Sequence, residues 1–265
     1  MRATKFEFSQ RFWIFGVIFW LGFACYSFDH VNAGVALLGA HVPSTSTQIT
    51  ATVAGVKFLF PMTYEMFGLD PNSDRGRGKL HIVFGLAALL LAGAAMMRTW
   101  ATAYLRTDVV EDPKLRTEKL VAEGPYRHVR NPLYFANVLM SLSFGLMASR
   151  IGWIFIVVAM IVFTYRLIGR EELELTATQG ASYQQYLKTV PRLWPALSPR
   201  VASGSLKPRW KQAWLAEAFF FWGFAAALAC FAITLDFVWA WAIFLLSILT
   251  YILMWKIRAR ISRAE

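Results

Sequence analysis

The chain has 265 residues, of which 57% are hydrophobic and only 16% charged, and its mean hydropathy is +0.45. That composition excludes an ordinary soluble enzyme, because several apolar runs approach the about 20 residues that cross a bilayer as helix. The net charge of +11 would suit nucleic acid, but the basic residues flank the apolar runs, a pattern that sets membrane orientation and meets anionic lipid.

The first apolar run, 12–28, has a basic flank (Arg2, Lys5, Arg11). Its long core is rich in Trp and Phe, and Ala24-Cys25-Tyr26 is a poor cleavage site. An uncleaved anchor is expected there rather than a signal peptide. Residues 49–67 are also apolar but are interrupted by Lys57, Pro61 and Glu65, and they read as re-entrant, interfacial or spanning. Further spans are expected at 80–104, 133–148 and 151–168. Only Ser149-Arg150 separates the last two, so they form a tight hairpin. Pro191, Pro195, Pro199 and Pro208 mark an extended link where helix stops. Beyond it, 215–235 and 237–255 read as an aromatic hairpin turning near Asp236, with no catalytic polar group. Its Trp210, Trp214, Trp239 and Trp241 suit an interfacial belt.

The expected fold is therefore all-α: a polytopic integral membrane bundle of about six transmembrane helices. Three regions divide it. Residues 1–79 hold the first helix and a polar or re-entrant stretch, 80–199 the core, and 200–265 the aromatic hairpin and a basic tail. With both termini cytosolic, Arg106 to Arg130, Arg166 to Lys211 and Lys256 to Arg263 place most cations on one side, leaving Arg75, Arg77 and Lys79 as the exception. Arg98 is the one charge deep in a span, and snorkelling explains it.

Cys25 and Cys230 lie in apolar runs, and His30, His41, His81 and His128 are scattered. Nothing there supports a metal, haem or disulfide site. Arg75-Gly76-Arg77-Gly78 lacks the spacing and the preceding strand of a nucleotide-binding loop.

Chemistry is concentrated in Gly124-Pro125-Tyr126-Arg127-His128-Val129-Arg130-Asn131-Pro132-Leu133-Tyr134 and in Arg170-Glu171-Glu172. Gly124 permits close backbone approach and Pro125 stiffens the turn. Asn131-Pro132 reads as a helix start, Asn as N-cap and Pro at the first helical position. The free N–H groups there suit an anion, reinforced by Arg127 and Arg130, while Tyr126 and Tyr134 offer aromatic faces. An equally simple reading is a capped helix whose arginines touch lipid phosphate. Two adjacent carboxylates near hydrocarbon need partners or a ligand. Since adjacent helical residues point roughly 100° apart, Glu171 and Glu172 are expected to have different partners, with Arg127, Arg130 and Arg166 as the candidate cations.

The runs Leu120-Val121-Ala122-Glu123-Gly124-Pro125-Tyr126 and Arg130-Asn131-Pro132-Leu133-Tyr134, then Glu171-Glu172, resemble the isoprenylcysteine carboxyl methyltransferase and phospholipid methyltransferase superfamily of integral membrane methyltransferases. Gly180, Tyr183, Tyr186 and Pro191-Arg192-Leu193 extend the likeness, which covers 80–199. The resemblance implies an S-adenosylmethionine site at the cytosolic membrane face. It would be lined by Val121, Gly124, Pro125, Tyr126, Arg130, Asn131, Tyr134, Glu171 and Glu172, with Arg170, Glu171 and Glu172 in catalysis. Asn131 stands where the family pattern has His, and Asn cannot carry a proton.

The implied activity is methyl transfer to a lipid-like or prenylated acceptor in the bilayer, without metal and without nucleic acid. A carboxylate acceptor needs no base, only a cation such as Arg170 or Arg166. An amine acceptor, such as a phospholipid head group, must first lose a proton, with Glu171, Glu172 or His128 as candidate bases. A non-catalytic lipid-binding scaffold of the same fold is the alternative from another class. A transporter is disfavoured, because the charges cluster at span ends.

Overall fold

The computed structural model describes residues 2–25, 51–53, 56–58, 73–105, 122–148, 150–204, 206–217 and 221–261. A short helix α1 (Lys5–Ser9) opens the chain under a reciprocal cap. The Glu7 N–H donates to the Thr4 hydroxyl at 3.1 Å, and the Thr4 N–H donates to the Glu7 carboxylate. Helix α2 (Arg11–Ala24) follows at once. Of the stretch 49–67, the described residues form β1 (Ala51–Val53) and β2 (Val56–Phe58), paired antiparallel with Thr52 opposite Lys57. Those residues are extended, and the rest of 49–67 lies outside the described residues.

Helix α3 (Asp74–Tyr104) starts six residues before the expected span, because the Ser73 hydroxyl accepts from the Gly76 N–H at 3.0 Å and caps it. Its 31 residues span about 46 Å, longer than a hydrocarbon core of about 30 Å. The charged first turn can therefore stay in the head-group layer. A 3-10 turn (Gly124–Arg127) leads to α4 (Pro132–Phe144), which ends in a second 3-10 turn (Gly145–Met147). Helix α5 (Arg150–Thr189) runs on for 40 residues, broken at Gly180 (φ 58°, ψ −131°). After the non-helical link come α6 (Trp210–Glu217), α7 (Phe221–Thr234) and α8 (Phe237–Ile261). The span expected over 215–235 takes in the end of α6 and all of α7, with 218–220 outside the described residues.

Apart from the small β pair, the described architecture is helical, as expected. Two of its helices, Asp74–Tyr104 and Ile151–Thr189, are long and apolar enough to cross a membrane. Arg11–Ala24, Pro132–Met147, Phe221–Thr234 and Val238–Ile252 are apolar but shorter. Leu86, Leu89, Val158, Leu246 and Leu249 point outward and exposed, which suits hydrocarbon contact.

Helix α4 lies between two cores. On one side α3 and α7 close around Leu91, Leu228, Phe84 and Phe231, the last two rings edge-to-face at 4.8 Å. Ala87, Ala88, Ala94 and Ala95 keep α3 slim enough for this approach. On the other side α2 and α5 pack through Ile18, Met160, Phe163 and Leu167 onto Val138. This two-sided burial fixes the N-terminus of α4, and so the residues around Tyr134, against α5.

Candidate active site

Arg170-Glu171-Glu172 lies within α5, just past its apolar run, and the three side chains diverge. Glu171 faces α4, where the Tyr134 hydroxyl donates to its Oε1 at 2.7 Å. Glu172, buried, accepts from two arginines: Arg130 Nη1 lies 2.9 Å from its Oε1, and Arg192 donates through Nε at 3.0 and 3.2 Å and through Nη2. The Arg192 guanidinium is held still more firmly protonated, chiefly by these hydrogen bonds to Glu172.

Arg170, expected among the catalytic residues, turns elsewhere. It pairs with Glu174, reaches the Ala3 carbonyl at 3.4 Å and lies over the Phe8 ring. Arg166 is likewise engaged, its Nη2 lying 2.8 Å from both oxygens of Glu7. The structure therefore does not bring Arg170 to the two glutamates, and it gives neither cation to an acceptor carboxylate.

The loop before α4 owes its shape to Gly124, whose φ of +55° suits glycine and whose missing Cβ would stand 2.3 Å from the Tyr104 ring. Close approach does occur there, but toward Tyr104. Pro125 starts the turn and Tyr126 is buried. Burial, and then the charges of Tyr186 and Glu171, push the Tyr126 hydroxyl well above its ordinary range, so it remains a neutral phenol.

The proline-rich link is a strap across this loop. Arg130 N–H donates to Pro191 O at 2.8 Å, Ala196 N–H to His128 O at 2.9 Å, and Arg200 N–H to Arg127 O at 2.8 Å. Arg127 Nε donates to Val201 O at 2.9 Å, and Glu123 accepts from Ser203 and from the Gly204 N–H. The Tyr186 hydroxyl donates to Tyr126 O at 2.7 Å from the far segment of α5. His128 Nδ1 lies 2.9 Å from Ala196 O. A carbonyl only accepts, so Nδ1 carries the proton.

Asn131 occupies the N-cap position of α4 and Pro132 its first turn, as read from sequence, but the Asn131 side chain caps nothing. Its Nδ2 donates to Arg192 O at 2.8 Å instead. A strap carbonyl that burial would leave unpaired takes the donor, and the same contact sets Arg192 beside Glu172. Arg130, Asn131, Glu172 and Arg192 thus form one linked group, with Tyr134, Glu171 and Tyr126 beside it. Val121 lies outside the described residues.

Sequence reading missed Arg192 as a partner of Glu172, and it missed a second polar group altogether. Arg98 does not snorkel. It is buried, with Nε 2.8 Å from Glu217 Oε2, Nη2 3.2 Å from Glu217 Oε1 and Nη1 3.1 Å from Asn137 Oδ1. Thr102 donates to the same carboxylate at 2.9 Å, and the guanidinium lies 4.0 Å from the Phe221 ring centroid. The C-terminal region therefore contributes a buried carboxylate that anchors it to α3. The available signal was two opposite charges, one in each of two apolar runs.

Among the described residues no group of three His, Cys, Asp or Glu stands close enough to hold a metal ion. For S-adenosylmethionine the donor set does fit. Two carboxylates can accept from ribose hydroxyls or face a sulfonium, two tyrosine rings can meet a base, and Arg130 Nε is buried with no hydrogen-bond partner.

Residues 81–180 match the family model described as phospholipid methyltransferase. Among curated proteins, the cobalt-zinc-cadmium resistance protein CzcN of Cupriavidus metallidurans is 25% identical over 138 residues, 46% of this chain and 64% of that protein. The chain thus spans less than two thirds of that relative's length. No solved structure matches it. The stretch similar to the phospholipid methyltransferase family contains Arg130, Tyr134, Glu171 and Glu172 and ends at the Gly180 break.

Proposed function

We propose that the protein is an integral membrane methyltransferase that uses S-adenosylmethionine on a lipid-like acceptor, with α2, α3, α4, α5, α7 and α8 forming a six-helix bundle and the site facing the cytosol. The observation that carries this reading is the divided pair on α5. Glu171 is held by Tyr134, and Glu172 by Arg130 and Arg192, in the stretch that matches the family. A lipid-binding scaffold would have no use for two carboxylates fixed so closely to one loop.

When bound, S-adenosylmethionine supplies a methyl group already activated on a sulfonium. The task left to the protein is alignment. Tyr134 fixes the orientation of the Glu171 carboxylate, and the two arginines fix Glu172 and offset its charge. Arg130 keeps its buried Nε for an anionic group of the ligand, and Tyr126 and Tyr134 offer ring faces. The strap of residues 191–204 covers the loop and keeps water from it.

A carboxylate or thiolate acceptor, including a prenylated one, needs no base. A phospholipid head-group amine is the second reading, favoured by the family that matches. That acceptor must lose a proton. With Nδ1 of His128 donating to Ala196 O, its Nε2 is the nitrogen left to accept a proton, and the carboxylates of Glu171 and Glu172 are the other candidate bases.

The test is incubation of the purified protein with methyl-labelled S-adenosylmethionine and membrane lipid. Label is expected in the lipid phase. Alkali releases it as methanol from a methyl ester and leaves it in place on an N-methylated amine, so one experiment separates the two acceptors. A folded protein that labels no lipid would leave the scaffold reading.

A further inference from the structure

On the face of α5 turned away from α4, a groove of about 610 Å³ runs along the helix. Its lining residues recur at 162, 165, 166, 169, 172, 173 and 176, the three- and four-residue spacing of one helical stripe. At one end the walls are Val162 and Tyr165, both exposed and within the apolar part of α5. At the other end Arg2, Arg166 and Arg192 stand around Glu172. Gly169, with no side chain, lies where the stripe passes from apolar to charged.

The charges at that end do not cancel. Glu172 is shared by Arg130 and Arg192, and Glu7 pairs with Arg166. The groove itself is lined by three arginines, Arg2, Arg166 and Arg192, and by one carboxylate, Glu172, which leaves a positive excess even with Glu7 paired to Arg166. The groove is apolar where hydrocarbon would be and cationic where head groups would be.

We propose that this groove binds an anionic phospholipid, its phosphodiester among Arg2, Arg166 and Arg192 and one acyl chain along Val162 and Tyr165. Arginine forks suit phosphate oxygens. A free nucleotide or sugar phosphate would leave the apolar half unused, and a zwitterionic lipid would bring its own cation to the arginine collar. The groove meets the proposed cofactor site at Glu172 and Arg192, on another side of α5 from Tyr134 and Glu171, and the lipid binding does not depend on methyl transfer.

Native mass spectrometry of the full chain in detergent, with phosphatidylglycerol or phosphatidylcholine of matched acyl chains, tests it directly. Wild type should retain phosphatidylglycerol about fivefold or more in preference, the order expected for each basic residue at an anionic surface. That preference should be lost in the Arg2→Gln, Arg166→Gln double variant. It should also be lost in Gly169→Leu, which fills the groove without changing charge or the Glu7 pair. Equal retention of the two lipids by wild type, or a preference that survives in both variants, would overturn the proposal. So would complete displacement of the lipid by millimolar inorganic phosphate, which would make this a free-phosphate site. The readout is bound lipid, so it stands or falls separately from any methyl transfer.

Discussion

Glu171 and Glu172 are neighbours in sequence with separate environments, because about 100° of helical rotation turns one toward α4 and the other toward the strap. Tyr134→Phe removes the hydroxyl that holds Glu171 and leaves that carboxylate short of a donor, at a cost of about 1–3 kcal/mol. Cofactor affinity should fall about tenfold, measured by calorimetry, and the thermal midpoint in detergent should drop by several degrees. Glu172→Gln acts differently. It places a neutral amide between Arg130 and Arg192, so both binding and the seating of the strap should weaken, and limited proteolysis within 191–204 should speed up. The divergence of the two glutamates was legible from helical geometry alone. The identity of their partners was not. Arg192 is 20 residues from Glu172 in sequence, and the strap that carries it is held by Asn131 on the Arg192 carbonyl and by Arg130 on the Pro191 carbonyl. Arg170 shares the motif but not the site, since its position on the helix turns it toward Ala3, Phe8 and Glu174.

At the scale of elements, the apolar runs located the cores but not the helix ends. The run in α5 stops at Ile168, while the helix continues through Thr176 and Gln179 to Thr189. Hydrophobic pattern cannot see a helix that leaves the hydrocarbon and stays helical in polar surroundings. Gly180 was read as part of a signature; its φ of 58° and ψ of −131° show why a glycine stands there. Gly180→Ala should cost about 1–3 kcal/mol through backbone strain alone, since no atom lies near enough to clash. It should loosen the Tyr186 contact to the Tyr126 carbonyl. The Arg98–Glu217 pair joins α3 to α6, and it was hidden because each charge looked incidental in its own run. Removing one partner leaves a buried charge, so Glu217→Ala should destabilise the protein by about 3–5 kcal/mol. An Arg98→Met, Glu217→Leu double variant should recover most of that loss. Thermal unfolding in detergent would check the comparison, and a double variant no more stable than the single one would contradict the assignment.

For the whole molecule, the two long apolar helices and the outward leucines set the setting, and α4, packed on both sides, sets the site within it. The first residues are part of this assembly. Ala3 N–H donates to the Arg166 carbonyl at 3.0 Å, and Glu7 pairs with Arg166. The Thr4 backbone hydrogen bond, and then Arg166, hold the Glu7 carboxyl below its ordinary 4.5. A carboxyl lowered in the folded state contributes stability that is complete above the unfolded value and is lost as pH falls through the folded one. Protease access to the first helix should therefore rise as pH drops below 4.5. In Glu7→Gln that access should be higher at neutral pH and largely insensitive to acid.

The central claim is that the glutamate pair of α5 and the loop before α4 form one cofactor site. Calorimetric titration of the detergent-purified protein with S-adenosylmethionine, beside Glu171→Ala, tests it most directly. Saturable binding by wild type that is lost in a folded Glu171→Ala protein is the predicted result. Wild-type affinity in that variant, or no binding by a folded wild type with lipid present, would contradict it.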